Sequence, residues 1–201
     1  MHIFLVRHGR DSRVPGSRSL SPEGLRQACS VGARLSGQGV TELWTSSLER
    51  ARATAQAISW AVGLDPVVDR RLDEIRAGAA GIPDLPPPRE RRRGPAPDGV
   101  ESWGEFLERV GCFLSSLCGV PDPRRRIVLV THSGVFDAVF EILCGTGARV
   151  ELAVENCAVT RWEYRPGSPA GAWLLHGHND TAHLTNTSGR SERPRETVSC
   201  Q

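Results

Sequence analysis

The sequence predicts an α/β fold, a three-layer sandwich in which a mainly parallel sheet carries helices on both faces. Three observations lead there. Ile3-Phe4-Leu5-Val6 and Ile127-Val128-Leu129-Val130 are short unbroken apolar runs, the pattern of strands buried on both faces. Between and after them, apolar residues recur at steps of three and four, as on one face of a helix. Strands alternating with such helices pack as a parallel sheet covered on both sides.

In chain order, Ile3 to Val6 is the first central strand. Ser21-Pro22-Glu23 then supplies an N-cap, a proline at the first helical position and an acid in the first turn, which predicts a helix to about Leu35. Glu42-Leu43-Trp44 reads as a short strand. The helix expected from about Ser47 holds Ala51, Ala53, Ala55 and Ala57, all strong helix formers. Pro66-Val67-Val68 reads as another strand. Trp103, Phe106, Leu107, Val110, Leu114 and Leu117 form one apolar stripe on a helix predicted from roughly Glu101 to Cys118. Ile127 to Val130 is the second central strand, and a further helix follows Ser133. Val154 to Trp162 and Gly171 to Leu175 are expected as late strands, at the sheet edge.

Prolines 83, 86 to 88, 95 and 97 surround Arg89, Arg91, Arg92 and Arg93, so residues 83–98 read as a Pro/Arg-rich loop or cap. From about Asn186 the chain is polar and aperiodic. Residues 1–185 are therefore expected to form one domain and 186–201 a disordered tail.

With 201 residues the chain can bury a sizeable core, and 25 basic against 23 acidic side chains leave a net charge of +2. Neither nucleic acid nor a membrane is called for by that balance. All the basic residues are arginine. The absence of lysine excludes Schiff-base chemistry and a P-loop, so any phosphate must be held by arginine, histidine or backbone amides. The N-terminus has no signal-peptide pattern, and no run approaches a transmembrane length. The six cysteines form no CxxC pair and several fall in apolar patterns, which predicts reduced, mostly buried thiols and a cytoplasmic protein. Oligomeric state is left open.

In an open parallel sheet, ligands bind outside the carboxyl ends of the strands. Arg7-His8-Gly9 directly follows the first central strand, and Thr131-His132-Ser133-Gly134 directly follows the later one. One histidine there would be unremarkable; two at equivalent positions point to a shared site. With Ser133 as helix N-cap, the free amides after His132 would present the positive end of the helix dipole to an anion. Arg50, in the first turn of its own helix, gains most if it too faces an anion, the alternative being an ion pair with Glu49 or Asp73.

These residues resemble the histidine phosphatase superfamily, also called phosphoglycerate mutase-like. The resemblance rests on LVRHG at Leu5 to Gly9, LSPEGLRQA at Leu20 to Ala28, SSLERARATA at Ser46 to Ala55, LDEI at Leu72 to Ile75, GVES at Gly99 to Ser102 and VTHSGV at Val130 to Val135. It extends from His2 to about Leu184. It implies His8 as nucleophile, Arg7 and Arg50 as phosphate ligands, His132 as the second pocket histidine with Ser133 beside it, and Glu74 as proton donor. A phosphoryl group in transfer spreads charge over its equatorial oxygens, and two guanidiniums with nearby amides stabilise that charge without a metal or cofactor. His8 must attack as a neutral imidazole, which a backbone carbonyl on its other nitrogen would orient.

Where the family commonly continues RHG with Glu-Thr, this chain has Arg10-Asp11-Ser12-Arg13-Val14-Pro15-Gly16. Ala77 to Ile82 and the Pro/Arg segment replace the usual stretch after the proton donor. Glu101 is a second candidate acid, or simply an N-terminal charge on its helix. His176, His178, Asp180 and His183 could share a strand face, but no further ligand pattern supports a metal and none is expected. The expectation is thus a metal-independent phosphomonoesterase acting on a small phosphorylated metabolite. The alternatives are a phosphoglycerate-type mutase, which family mutases with longer insertions make second choice, and a catalytically silent module that binds a phosphorylated ligand.

Overall fold

Among the residues described by the computed structural model (1–12, 14, 19–76, 96, 99–119, 122–147, 150–169 and 172–187), the chain runs in strict alternation before it turns to strands. The order is β1 (His2–Arg7), α1 (Pro22–Ser36), β2 (Glu42–Thr45), α2 (Glu49–Val62), β3 (Val67–Val68), α3 (Trp103–Cys118), β4 (Arg126–Thr131), α4 (Ser133–Cys144), β5 (Val159–Tyr164) and β6 (Trp173–Asp180). Short 3-10 turns span Arg70–Leu72 and Ala182–Thr187. Apart from residue 96, the expected 83–98 loop lies outside the described residues, as does the tail beyond 187. Residues 186 and 187, assigned to that tail by composition, instead end the second 3-10 turn.

The strands form one sheet in the order β3-β2-β4-β1-β5-β6. β1 and β4 are central and parallel, from His2 opposite Arg126 to Arg7 opposite Thr131. β2 and β3 are parallel additions, while β5 runs antiparallel to both β1 and β6. Only β5 opposes the rest, so the sheet is mainly parallel. The central runs alternate between two cores. Ile3, Leu5, Ile127 and Leu129 pack with Phe106, Phe113 and Phe136 from α3 and α4, and Phe4, Val6, Val128 and Val130 pack with Val31 and Leu35 of α1 and Ala51, Ala55 and Ile58 of α2. This two-sided burial is why the central runs Ile3–Val6 and Ile127–Val130 carry no polar residue, each large side chain adding roughly 1.5–3 kcal/mol.

The helix signals operate as read, with small shifts. Ser21 caps α1 by accepting the Gly24 amide, with Pro22 at the first position. α2 begins at Glu49 instead of Ser47, because Ser47 is engaged with Asp73. α3 begins at Trp103, since Ser102 and Glu105 form a reciprocal capping box there. Glu101 therefore lies before the helix. β5 begins only at Val159, because Cys157 takes a left-handed φ of 57° in the preceding loop. β6 continues to Asp180, past the apolar run that marked it.

Among the described residues, the expected burial of the cysteines holds only for Cys157. Cys29, Cys112 and Cys144 are exposed, lying on the outer faces of their helices, and Cys118 is intermediate. All of the described cysteines are free, and burial pushes the Cys157 thiol up to about 12.

Candidate active site

His8 follows β1 and is held from both sides. Its amide donates to Thr131 O at 2.9 Å, continuing the central ladder, and its carbonyl accepts the Asn156 side-chain amide at 2.9 Å. Gly9 donates to Thr54 Oγ1 at 3.0 Å, tying the turn to α2. A Cβ on Gly9 would stand 2.5 Å from the Gly24 carbonyl oxygen, so only glycine lets α1 approach this closely. The ring is buried at 5% exposure. Nδ1 lies 2.8 Å from Gly9 O, an acceptor only, so it carries the proton. Nε2 then holds the lone pair and accepts from Arg50 Nε at 3.1 Å.

His132 directly follows β4 and is fully buried, its ring centroid 5.0 Å from that of His8. Ser46 Oγ donates to Asp73 Oδ1 at 2.8 Å and lies 2.8 Å from His132 Nε2. Because the serine proton is committed to Asp73, His132 donates through Nε2–H and its Nδ1 is the unprotonated nitrogen. That Nδ1 is buried with no hydrogen-bond partner. Desolvation first, then His8, Arg50, Arg7 and Arg109, drives the His132 pKa well below its ordinary value, so it is neutral in the unliganded chain.

The two pocket arginines are only lightly engaged. Arg7 donates through Nη1 to Val154 O, and its buried Nε has no partner. Arg50 gives Nε to His8 and lies 3.8 Å from Asp11 Oδ2. The alternative in which Asp73 neutralises Arg50 does not arise, because Asp73 accepts from Ser46 and from the amide and hydroxyl of Ser47.

Glu74 reaches this end of the sheet through α4. Its Oε2 accepts the Gly134 amide at 3.2 Å and its Oε1 the Ile75 amide at 3.0 Å. A Cβ at Gly134 would stand 2.1 Å from Glu74 Oε1, so glycine two residues after His132 is what admits the acid. Two expectations change here. The residue at the N-cap of α4 is His132, with no side-chain cap bond, and Ser133 is the first helical residue. The Gly134 amide, expected to be free for an anion, is taken by Glu74.

Glu101 is engaged elsewhere. It is buried and takes Arg109 through Nε at 2.7 Å and Nη2 at 2.8 Å, and Arg76 through its amide at 2.9 Å and Nη2 at 3.1 Å. Burial pushes its pKa up, but these hydrogen bonds and the Arg109 charge outweigh it and bring it down to about 2. Such a carboxyl carries no proton to donate near neutrality, and the helix-dipole alternative is replaced by ion pairing. The histidines near the C-terminus also separate. His178 bonds Thr160 Oγ1 and Ala153 O, and His183 bonds Cys157 O, so both are tied to the loop that precedes β5 or to its first residues.

Sequence reasoning passed over Asp11, Ser46, Asp73 and Asn156 as site residues. Asp11 Oδ1 lies 3.2 Å from His8 Nδ1. Burial raises the Asp11 pKa, yet the His8 hydrogen bond and the charges of Arg50 and Arg7 hold it below the usual carboxylate value. Its only sequence signal was the departure after RHG. Ser46 and Asp73 lay inside the quoted SSLERARATA and LDEI segments, next to residues that drew attention first.

Residues 3–181 match the sequence profile of the histidine phosphatase superfamily (branch 1). The chain belongs to this superfamily. A probable phosphoglycerate mutase GpmB from Yersinia enterocolitica serotype O:8 / biotype 1B is 34% identical over 207 residues, covering 92% of this chain and 95% of that protein. The native structure of mycobacterial glucosyl-3-phosphoglycerate phosphatase Rv2419c superposes with a TM-score of 0.73 at 26% identity, covering 89% of this chain and 98% of that one. Entamoeba histolytica phosphoserine phosphatase in complex with 3-phosphoglyceric acid shares the fold, with a TM-score of 0.72 at 21% identity over 91% of this chain and 98% of that one. Among the described residues, no helix of this superfamily member is long and apolar enough to cross a membrane.

Proposed function

We propose that this chain is a metal-independent phosphomonoesterase that hydrolyses a small phosphorylated metabolite through a phosphohistidine on His8. The observation that carries the reading is the His8 tautomer. Gly9 O holds the Nδ1 proton, leaving the Nε2 lone pair toward Arg50. When a phosphomonoester enters, the Arg50 N–H passes from that nitrogen to a phosphoryl oxygen. Nε2 attacks phosphorus, the ester P–O bond breaks, and the leaving oxygen takes a proton from Glu74. Water then attacks phosphorus and the P–N bond breaks. Glu74 receives the water proton and inorganic phosphate leaves. Arg7, Arg50 and His132 stabilise the equatorial oxygens, His132 once protonated against the bound dianion.

A second reading, a phosphoglycerate-type mutase, is favoured by the name of the 34% identical relative. Length does not separate the two, because this chain matches 95% of that relative. What favours hydrolysis is the charge at the rim. A mutase must hold a sugar acid bearing further anionic groups, whereas here Asp11 places a carboxylate beside His8 and Arg50, and Arg10 is paired with Glu23. The test is product analysis over sugar phosphates, phosphoglycerates, nucleotides and phospho-amino acids, with excess chelator present. Inorganic phosphate is expected as the dominant product. Mostly 2-phosphoglycerate from 3-phosphoglycerate, with or without a bisphosphate primer, would reverse the order, and loss of turnover restored by a divalent ion would end the metal-free mechanism.

A further inference from the structure

At the end of the sheet opposite His8, three neighbouring strands bring together two imidazoles and a carboxylate. His2 of β1 stands directly opposite Glu163 of β5. His176 is the extra residue of a bulge in β6, between the pairs Trp162–Leu175 and Arg161–Gly177, and a bulge re-aims the side chain it carries. One donor atom from each of the three lies within 4.8 Å of the others. His176 Nε2 and Glu163 Oε2 are 2.7 Å apart, and the His2 and His176 ring centroids 6.0 Å. His2 Nδ1 is buried and has no hydrogen-bond partner. His176 also lines a cleft between α1 and the β5–β6 ribbon, bordered by Arg34, Leu35, Gln38 and Arg161.

We propose that His2, Glu163 and His176 form a divalent transition-metal site of the zinc type, separate from the His8 pocket and not needed for phosphate release. Two histidines and a glutamate are a complete protein ligand set for such an ion, with the cleft offering a path and an open fourth position. A tetrahedral zinc ion with bonds of ~2.0–2.1 Å sets its ligands ~3.3 Å apart, so small side-chain movements close the site on a rigid sheet. The ion takes the place of the proton between His176 and Glu163, which moves to His176 Nδ1.

The surrounding charges decide which ions fit. Arg34 and Arg161 border the cleft that His176 lines. The guanidiniums repel ions held by charge alone, and two imidazole nitrogens among three donors suit ions that seek nitrogen. Nitrogen-seeking Zn2+ and Co2+ are therefore accepted, while Mg2+ and Ca2+, which need several oxygens, are not.

The test uses the full chain, stripped with chelator and dialysed, titrated with Zn2+ by calorimetry and with Co2+ by visible absorption. One Zn2+ per chain is expected, with a rise in Tm. His176→Ala and Glu163→Gln should each weaken binding by more than the ~10–100-fold that loss of a mere orienting partner costs. His176 is exposed, so its replacement leaves the fold intact, and phosphate release by that variant should equal wild type. The His8→Ala chain should bind as wild type does. Absence of saturable binding, binding that survives both ligand substitutions, or binding lost in the His8→Ala chain would each overturn the site.

Discussion

Glu74 and Glu101 are both acids near the carboxyl ends of the strands, and their surroundings are opposite. Glu101 is saturated by Arg109 and Arg76, and Arg109 in turn spends its remaining nitrogen on the carbonyls of Arg70, Arg71 and Asp73. Among the described residues, Glu74 accepts only two backbone amides. The arginines differ in the same way, since Arg7 and Arg50 retain donors that no carboxylate fully claims. Residue type does not distinguish scaffold from chemistry here. The number of partners already committed does, because a donor that is fully bonded gains nothing from a substrate oxygen.

The largest expected effect tests the pocket itself. His8→Ala should reduce turnover to background while the Tm stays close to wild type. Rapid-quench experiments should find acid-labile phosphate on the wild-type chain and none on the variant; label retained on the variant would remove His8 as nucleophile. Next comes Glu74→Gln, which should slow hydrolysis of an alkyl phosphate by ~100-fold or more and of p-nitrophenyl phosphate much less, because a good leaving group needs little protonation. An equal loss with both substrates would mean that Glu74 positions the substrate instead of donating a proton.

The smallest effect on turnover is expected from Glu101→Gln, whose consequence is stability. Removing the charge leaves Arg109 buried without its partner, at a cost of about 3 kcal/mol near neutrality. With the folded-state pKa near 2 against an ordinary 4.5, the carboxylate stabilises the fold fully above that ordinary value and loses this contribution as pH falls toward 2. Thermal melts between neutrality and acid should therefore fall steeply for wild type and less steeply for the variant over that window. If Glu101→Gln instead showed the leaving-group-dependent loss, the contrast between the two acids would be inverted.

The pattern of apolar runs was enough to place β1 and β4 at the centre, since two-sided burial forbids polar residues and leaves a mark that periodicity can read. The cap at Ser21 was local too, whereas the capping box of Ser102 and Glu105, unused in that reading, moved the start of α3 past Glu101. Where the reading slipped, side chains acted at long range. β6 outran its apolar run because a bulge and polar residues on a half-exposed edge carry no clear period.

His8 and His132 stood out in the sequence because each directly follows a central strand, and Arg50 because it opens a helix, while Arg7 and Glu74 took their roles from the superfamily resemblance of LVRHG and LDEI. The protonation states were not legible there. That His8 holds its proton on Nδ1 depends partly on Arg50, 42 residues away, and that His132 donates through Nε2 depends on Ser46 and Asp73, contacts that exist only once four strands and α2 are assembled. Tertiary structure likewise separated the acids, consigning Glu101 to an ion pair and leaving Glu74 at Gly134. It also set His2 beside Glu163 and His176, more than 160 residues along the chain. Local sequence determines what a segment can offer, whereas partners brought from afar determine which atoms remain free to react.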